Sequence, residues 1–269
     1  MAKSLCDKVA IVSGASRGLG AALAMVLARR GARLALMGRS RERLEAVAAD
    51  VRSAGADALV AVVDVRDRAA VDQAVGEVIE RWGGVDVLFN VAGVKVQGSM
   101  ESTSYEAIRE ALDVNFGGVL RCCRAVLPVM RARGRGHLVN VSSVQGKRAT
   151  PYRGAYAASK AALNAMTDAL RVELSGTGID VTLVCPGRLD HHGDPRRMAM
   201  GYDRAAEAMV RAVERGRREV VLTWSGRALV WLNVLAPGVV DRLLRGLRDE
   251  RQREFERVHR EQPDQPFRR

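Results

Sequence analysis

A single doubly wound α/β domain, with a seven-stranded parallel sheet and a helical extension at the C-terminus, is the fold the sequence predicts. Two observations carry that prediction. Short apolar runs rich in Val, Ile and Leu alternate with longer segments of helical periodicity, and a glycine-rich turn joins the first run to the first helical segment. Strands covered by helices on both faces read as near-continuous apolar runs, as these do. The 269 residues, 48% hydrophobic and 28% charged, suffice for one sizeable core and lack the bias of a disordered or collagen-like chain.

Taken in order, strands are expected at Lys8–Gly14, Arg33–Gly38, Ala58–Val65, Val85–Gly93, His137–Ser143, Asp180–Gly187 and Glu219–Thr223. Helices are expected near 18–30, 40–54, 67–82, 104–132, 154–175 and 203–215. No linker, composition shift or fixed-period repeat divides the chain, so 1–223 reads as one domain and 224–269 as its extension. In that extension Trp224–Val240 is apolar, with Trp231 beside Leu232, Val234 and Leu235, and Asp241–Arg260 is basic and amphipathic. The favoured reading is a pair of helices burying these residues on the sheet edge or on a second subunit, since Trp is more often buried against protein. The alternative lays them weakly on a membrane surface. The tail Glu261–Arg269, with Pro263 and Pro266, is expected to fray.

Charge and cysteine content exclude several function classes. Forty-three basic residues against 31 acidic ones give a net charge of +12. Only five of the bases are lysines, and the 38 arginines are interleaved with Glu and Asp rather than gathered in a stripe. With 4% aromatic residues there is little to stack bases on, and nucleic acid is not expected as a partner. Neither an uncharged apolar stretch of membrane-spanning length nor an apolar N-terminal leader is present, which makes the cytoplasm the default location. Cys6, Cys122, Cys123 and Cys185 lack zinc-site spacing and read as reduced, mostly buried thiols.

The first strand runs into Ser13-Gly14-Ala15-Ser16-Arg17-Gly18-Leu19-Gly20 and then a helix. Glycines at 14, 18 and 20 allow a sharp turn that brings the free N–H groups of the helix against a pyrophosphate. At the first strand of an α/β alternation, this is where a dinucleotide is expected to bind.

The Gly-x-x-x-Gly-x-Gly spacing resembles that of the short-chain dehydrogenase/reductase family, whose domain is a Rossmann fold. The resemblance covers about residues 5–223. Asp64-Val65 stands where the family places an Asp near the adenine ring. Asn90-Val91-Ala92-Gly93 is similar to the family's Asn-Asn-Ala-Gly, and Pro186-Gly187, followed by Leu189, stands where members line the nicotinamide. The resemblance thus implies a cofactor site that includes Gly14, Ser16, Arg17, Gly18, Leu19, Gly20, Asp64, Val65, Asn90, Ala92, Gly93, Pro186, Gly187 and Leu189. The second strand ends Leu36-Met37-Gly38-Arg39. An acid there would grip the ribose hydroxyls of NAD and repel a phosphate. Gly38 holds that position, and Arg39 with Arg17 offers a charge-assisted cradle for a 2′-phosphate, so NADP(H) is expected in preference to NAD(H).

Tyr156 and Lys160, four residues apart, share one face of a helix. A phenol titrates near pH ~10, and a neighbouring ammonium favours its phenolate. Ser143 stands thirteen residues before Tyr156 at the end of a strand, on the side of the sheet where α/β enzymes assemble their chemistry. With Asn115 these residues look like the family tetrad. The resemblance implies that Tyr156 is the general acid or base, Ser143 holds the substrate oxygen, Lys160 tunes Tyr156 and binds the nicotinamide ribose together with it, and Asn115 keeps a water in the proton relay. Ser142 is a decoy, expected to point to the other face of the strand.

One position departs from the pattern. His191 stands where many members carry a Thr that bonds the nicotinamide carboxamide. His191-His192 lacks a third ligand at recognisable spacing, so no metal is expected; His137 reads as structural and His259 lies in the tail. The loop 188–202, with Asp194-Pro195-Arg196-Arg197 and Met198, is the expected substrate lid. Val94, Val96, Gln97, Gln145, Tyr152 and residues 198–202 are expected to line a mainly apolar pocket, suited to a hydrophobic, lipid- or steroid-like ketone, aldehyde or secondary alcohol. The family resemblance further implies a homodimer through helices 104–132 and 154–175, alone or within a homotetramer. An alternative from another class is an NADPH-binding regulator or scaffold acting through its C-terminal segment.

Overall fold

The computed structural model describes residues 4–191, 199–249, 252–253, 255–256 and 267–268. The apolar runs form strands β1 (Val9–Ser13), β2 (Arg33–Gly38), β3 (Ala58–Val62), β4 (Val87–Asn90), β5 (Gly136–Val141), β6 (Ile179–Cys185) and β7 (Glu219–Val221) of one sheet. Their order is β7-β6-β5-β4-β1-β2-β3, parallel throughout. Because side chains alternate across a strand, β1 sends Ala10 and Val12 into one core and Val9 and Ile11 into the other. That two-sided burial is why the runs are apolar at every position.

Helices α1 (Gly18–Arg29), α2 (Arg41–Ser53), α3 (Arg68–Trp82), α4 (Tyr105–Leu112), α5 (Val119–Ala132), α6 (Gly154–Glu173) and α7 (Tyr202–Glu214) cover the sheet. Ser40, Asp67 and Ser104 cap α2, α3 and α4, accepting from Arg43, Ala70 and Ala107 N–H respectively. The single helix expected over 104–132 is instead two, separated by a π-helical turn at Asp113–Gly118. The extra residue in that turn puts Asn115 inside the protein, where its side chain holds the turn in place. The strands also end earlier than their apolar pattern: β3 stops at Val62 and β4 at Asn90, where the chain leaves the ladder for the loops above the sheet.

The extension forms two helices, α8 (Trp224–Leu235), capped by Thr223, and α9 (Pro237–Gly246). They attach through Gly226, Val240 and Leu244, which are buried, and through an ion pair between Arg148 and Asp241. The expectation that the tryptophans would be buried on the sheet edge is corrected. Trp224 is 72% and Trp231 68% exposed, because α8 turns its small residue Gly226 toward the domain, against Val144, Val221 and Thr223. The expected fraying of the tail is corrected at Phe267–Arg268, whose backbone pairs antiparallel with Lys95–Val96 and gives an otherwise open edge its partners. Met198 and the Asp194–Arg197 segment of the lid, His192 and His259 lie outside the described residues, as do the rest of Asp241–Arg260 beyond 249, except 252–253 and 255–256, and most of Glu261–Arg269. All four cysteines are free thiols, with Cys6 exposed and the other three buried.

Candidate active site

The carboxyl ends of β1 and β4, adjacent in the sheet but reached by crossovers in opposite directions, open a crevice at the point where α/β domains bind ligands. Gly14 leaves β1 at φ +74°, and a Cβ there would stand 2.7 Å from the Ala92 nitrogen. A Cβ on Gly20 would fall inside the Gly14 carbonyl oxygen. The Ser13 hydroxyl accepts from the N–H groups of Val91 (3.2 Å) and Ala92 (3.3 Å), locking the two strand ends together. Among the described residues no side chain caps α1, and its first turn carries no acid, so its terminal N–H groups remain for an anion. This tight cradle below an uncapped helix fits a dinucleotide pyrophosphate.

The other expected cofactor residues fall around that cradle. Gly38 faces Ser16, and Arg17 and Arg39 are exposed beside them. Leu19 turns its side chain into the core. The Asp64 carboxylate accepts a two-pronged bond from the Arg66 guanidinium (2.7–3.1 Å) and one from the Arg66 N–H (3.0 Å); these bonds hold it below the usual carboxylate range, with Arg39 adding to the effect. Val65 packs against Gly118 of the π turn. Asn90 turns its amide inward, donating to Asn140 Oδ1 (2.9 Å), and Asn140 donates to Thr167 (3.0 Å), so its side chain ties β4 to β5 and α6. Pro186 accepts from Val144 N–H (2.9 Å), Gly187 packs on Thr223, and Leu189-Asp190 pairs with Met200-Gly201.

The tetrad residues converge beyond this cradle, all of them buried. Asn115 donates to Val94 O and Ser159 Oγ and accepts from Val94 N–H, each at 2.9 Å. A Cβ on Gly93 would stand 2.9 Å from Asn115 Oδ1 and 3.5 Å from Lys160 Nζ, so Gly93 brings these two groups together. Lys160 Nζ donates to Val141 O (2.9 Å) and lies 6.0 Å from the centre of the Tyr156 ring. Ser143 Oγ accepts from Gln145 N–H (3.1 Å) and is hydrogen-bonded to the Tyr156 hydroxyl. The decoy Ser142 donates instead to the Lys160 carbonyl (3.2 Å).

The electrostatics differ from the sequence-based expectation in one respect. Burial pushes the Tyr156 phenol up, and the groups that draw it back are the Ser143 bond and then the charge of Arg153. Lys160 is itself pushed down to about 8 by burial, and its ammonium points to the Val141 carbonyl. Arg153, buried at the N-terminus of α6 and three residues before Tyr156, was not singled out from sequence; the helical i, i+3 spacing is the signal that would have found it.

The residues expected to line the substrate pocket take the following positions. Gln145 follows Ser143; Tyr152, at φ +60°, is held by a bond from Gly98 N–H to its carbonyl (3.0 Å), and its ring lies 5.7 Å from that of Phe255. Val96 packs with Ala155 of α6. Both amide atoms of Gln97 and the Oε1 of Gln145 are buried without a hydrogen-bond partner among the described residues. His191 meets the Tyr202 ring edge-on at 5.1 Å, and Tyr202 in turn packs over Gly18 of the glycine turn. His137 bonds the Thr182 hydroxyl (2.8 Å), well below the site. Among the described residues no three His, Cys, Asp or Glu side chains gather as metal ligands.

Comparison with known proteins follows this geometry. Residues 8–196 match the family model for short chain dehydrogenases. A dehydrogenase/reductase SDR family member 7B from Danio rerio is 35% identical over 88% of this chain and 84% of its own length. The ketoacyl reductase HetN of Nostoc sp. is 31% identical over 90% of both chains. Among solved structures, an alcohol dehydrogenase from Thermococcus sibiricus complexed with 5-hydroxy-NADP superposes with a TM-score of 0.74 at 31% identity, over 80% of this chain and 96% of that one. A short-chain dehydrogenase/reductase from Burkholderia phymatum in complex with NAD gives 0.81 at 26% identity, over 88% and 96%. With its strand order, its glycine cradle and its buried Ser–Tyr–Lys cluster all in accord, the chain belongs to the short-chain dehydrogenase family and is an oxidoreductase of CH–OH and C=O groups that works with a nicotinamide dinucleotide.

Proposed function

We propose that the chain is an NADP(H)-preferring enzyme that reduces the carbonyl, or oxidises the secondary alcohol, of a small and mainly apolar substrate. The observation that carries the cofactor preference is the end of β2. Gly38 faces Ser16 where an acid would meet the adenosine ribose, and the exposed guanidiniums of Arg17 and Arg39 flank that position.

When bound, NADP(H) supplies or accepts the hydride. The protein's part is to hold the substrate oxygen and move one proton. Ser143, already bonded to the Tyr156 hydroxyl, orients the reacting oxygen and stabilises its growing charge. Tyr156 donates its phenolic proton in reduction and removes the hydroxyl proton in oxidation. Lys160, beside Gly93, is placed to bind the nicotinamide ribose and re-protonate the phenolate. Asn115 fixes the π turn against Val94 and Ser159, leaving main-chain groups of that turn to hold a relay water.

Val94 and Val96 supply an apolar wall, while the unpartnered amides of Gln97 and Gln145 favour a substrate carrying a polar group besides the reacting one. A lipid- or steroid-like compound has that character. Membership of the short-chain dehydrogenase family supports a homodimer through α4–α5 and α6. Among the described residues no helix is long and apolar enough to cross a membrane.

The test is titration of the protein with NADPH and with NADH, then turnover of a panel of apolar ketones and alcohols, with Tyr156→Phe as control. Tighter NADPH binding and a loss of turnover by about 10²- to 10⁴-fold in the variant, with cofactor affinity kept, are expected. Tighter NADH binding would overturn the reading of Arg17 and Arg39, and undiminished turnover in Tyr156→Phe would overturn the role of Tyr156.

A further inference from the structure

We infer that the outer face of α8 and α9 docks on a phospholipid bilayer bearing anionic headgroups, independently of the cofactor and substrate readings above. On α8, Trp224, Trp231, Val234 and Leu235 fall at helical spacing on one face, and that face points to solvent; Leu235 is 76% exposed. On α9 and at its C-cap, Val239, Leu243 and Leu247, each four residues from the last, form a second exposed stripe beside the buried Val240 and Leu244. Scattered surface apolar residues need no account, but two consecutive helices, packed on one another and each exposing a row of large apolar residues, mark a binding surface.

Charge identifies the occupant. Arg227 lies within the α8 stripe and Arg242 borders that of α9, while Arg245 is exposed at a cleft on the other side of α9; neither of the latter two has an acidic partner within 4 Å among the described residues. Arg148, Arg245 and Arg248 line this open cleft of about 450 Å³, whose one carboxylate, Asp241, is paired to Arg148. A second copy of this face would bring the same cations against one another, whereas an anionic surface neutralises them. Tryptophan side by side with arginine is the composition of the headgroup layer, where the indole meets the acyl boundary and the guanidinium meets phosphate. Helices of 12 and 10 residues are about 18 and 15 Å long, too short for a hydrocarbon core of about 30 Å, so they lie along the surface.

The experiment is sedimentation of the full chain with vesicles of phosphatidylcholine alone and of phosphatidylcholine with phosphatidylglycerol, read together with tryptophan emission. Binding to the anionic vesicles with a blue shift, weakened by salt, is expected. Leu235→Ser with Trp231→Ser should abolish it, and Arg242→Glu with Arg245→Glu should weaken it by at least about thirtyfold. All four positions are exposed, so circular dichroism should match the parent. Should the double-serine variant unfold, the arginine pair still decides the matter. Absence of sedimentation with anionic vesicles, or equal sedimentation of the parent and both variants, would overturn the inference. So would conversion of an oligomer to a monomer by the serine pair without any lipid binding by the parent, which would assign the face to a second copy.

Discussion

Replacing Lys160 by Met should change how the stability of this protein depends on pH, and the size of the change follows from the burial of one ammonium. Lys160 is only 4% exposed, and burial lowers it from 10.5 to about 8. The unfolded chain therefore keeps this proton up to about pH 10.5 while the folded chain releases it near 8. Between these values the unfolded state binds more protons, so the group makes the wild type more stable as pH rises; below 8 both states are protonated and its contribution is constant. Integrated from pH 7 to 9.5, the gain is about 2 kcal/mol. At pH 7 the buried charge costs about 3 kcal/mol, against which its bond to Val141 O returns about 1.5–3 kcal/mol. Lys160→Met should thus equal or modestly exceed the wild type at pH 7 and fall behind by about 2 kcal/mol relative to it at pH 9.5. Urea unfolding of both proteins at the two pH values gives the double difference, in which other titrating groups cancel. A difference between wild type and variant that stays flat, or that runs the other way, would refute the assignment of a cost to this buried charge.

Three further outcomes are expected. Gly20→Ala should abolish dinucleotide binding measured by cofactor fluorescence, because the new methyl would occupy the Gly14 carbonyl oxygen and push α1 off the cradle; retained affinity would show that the turn is not the phosphate site. Arg153→Met should move the acidic limb of the pH–rate profile for alcohol oxidation, where the rate rises as the phenol deprotonates, to higher pH, since Arg153 draws the raised Tyr156 phenol downward, and an unmoved limb would remove Arg153 from that role. Asn140→Ala leaves the Asn90 amide with only the Cys123 sulfur and the Thr167 hydroxyl with only the Leu163 carbonyl, and should cost about 1–3 kcal/mol in denaturant unfolding, where a loss below about 0.5 kcal/mol would contradict the network.

Much of the site was legible because its geometry is local. Gly14, Gly18 and Gly20 are read from one turn, and Tyr156 and Lys160 from one helical repeat, so spacing alone brings them together. Ser143 lies at a strand end next to its helix, and short range serves there too. Groups whose surroundings are less local were read only in part. Lys160 was expected to tune Tyr156, and its ammonium, 6.0 Å from the ring centre, also bonds the Val141 carbonyl nineteen residues away; Arg153, a second cation acting on Tyr156, was not named. The inward turn of Asn90 depends on Asn140, fifty positions on. The π turn at Asp113–Gly118 is invisible to apolar periodicity because it inserts one residue without changing the pattern around it.

By itself the sequence determined that seven strands form one parallel sheet, and it located the glycine turn and the four polar residues near it. These rest on periodicity, on backbone conformations open only to glycine and on spacing within a turn, all properties of short stretches of chain. Tertiary structure alone decided that Arg153 joins Lys160 near Tyr156, where Asn90 points, and that Trp224 and Trp231 look outward. Each of those depends on which distant atoms desolvate or satisfy a side chain, and a charge, an amide or an indole settles only when its neighbours are in place.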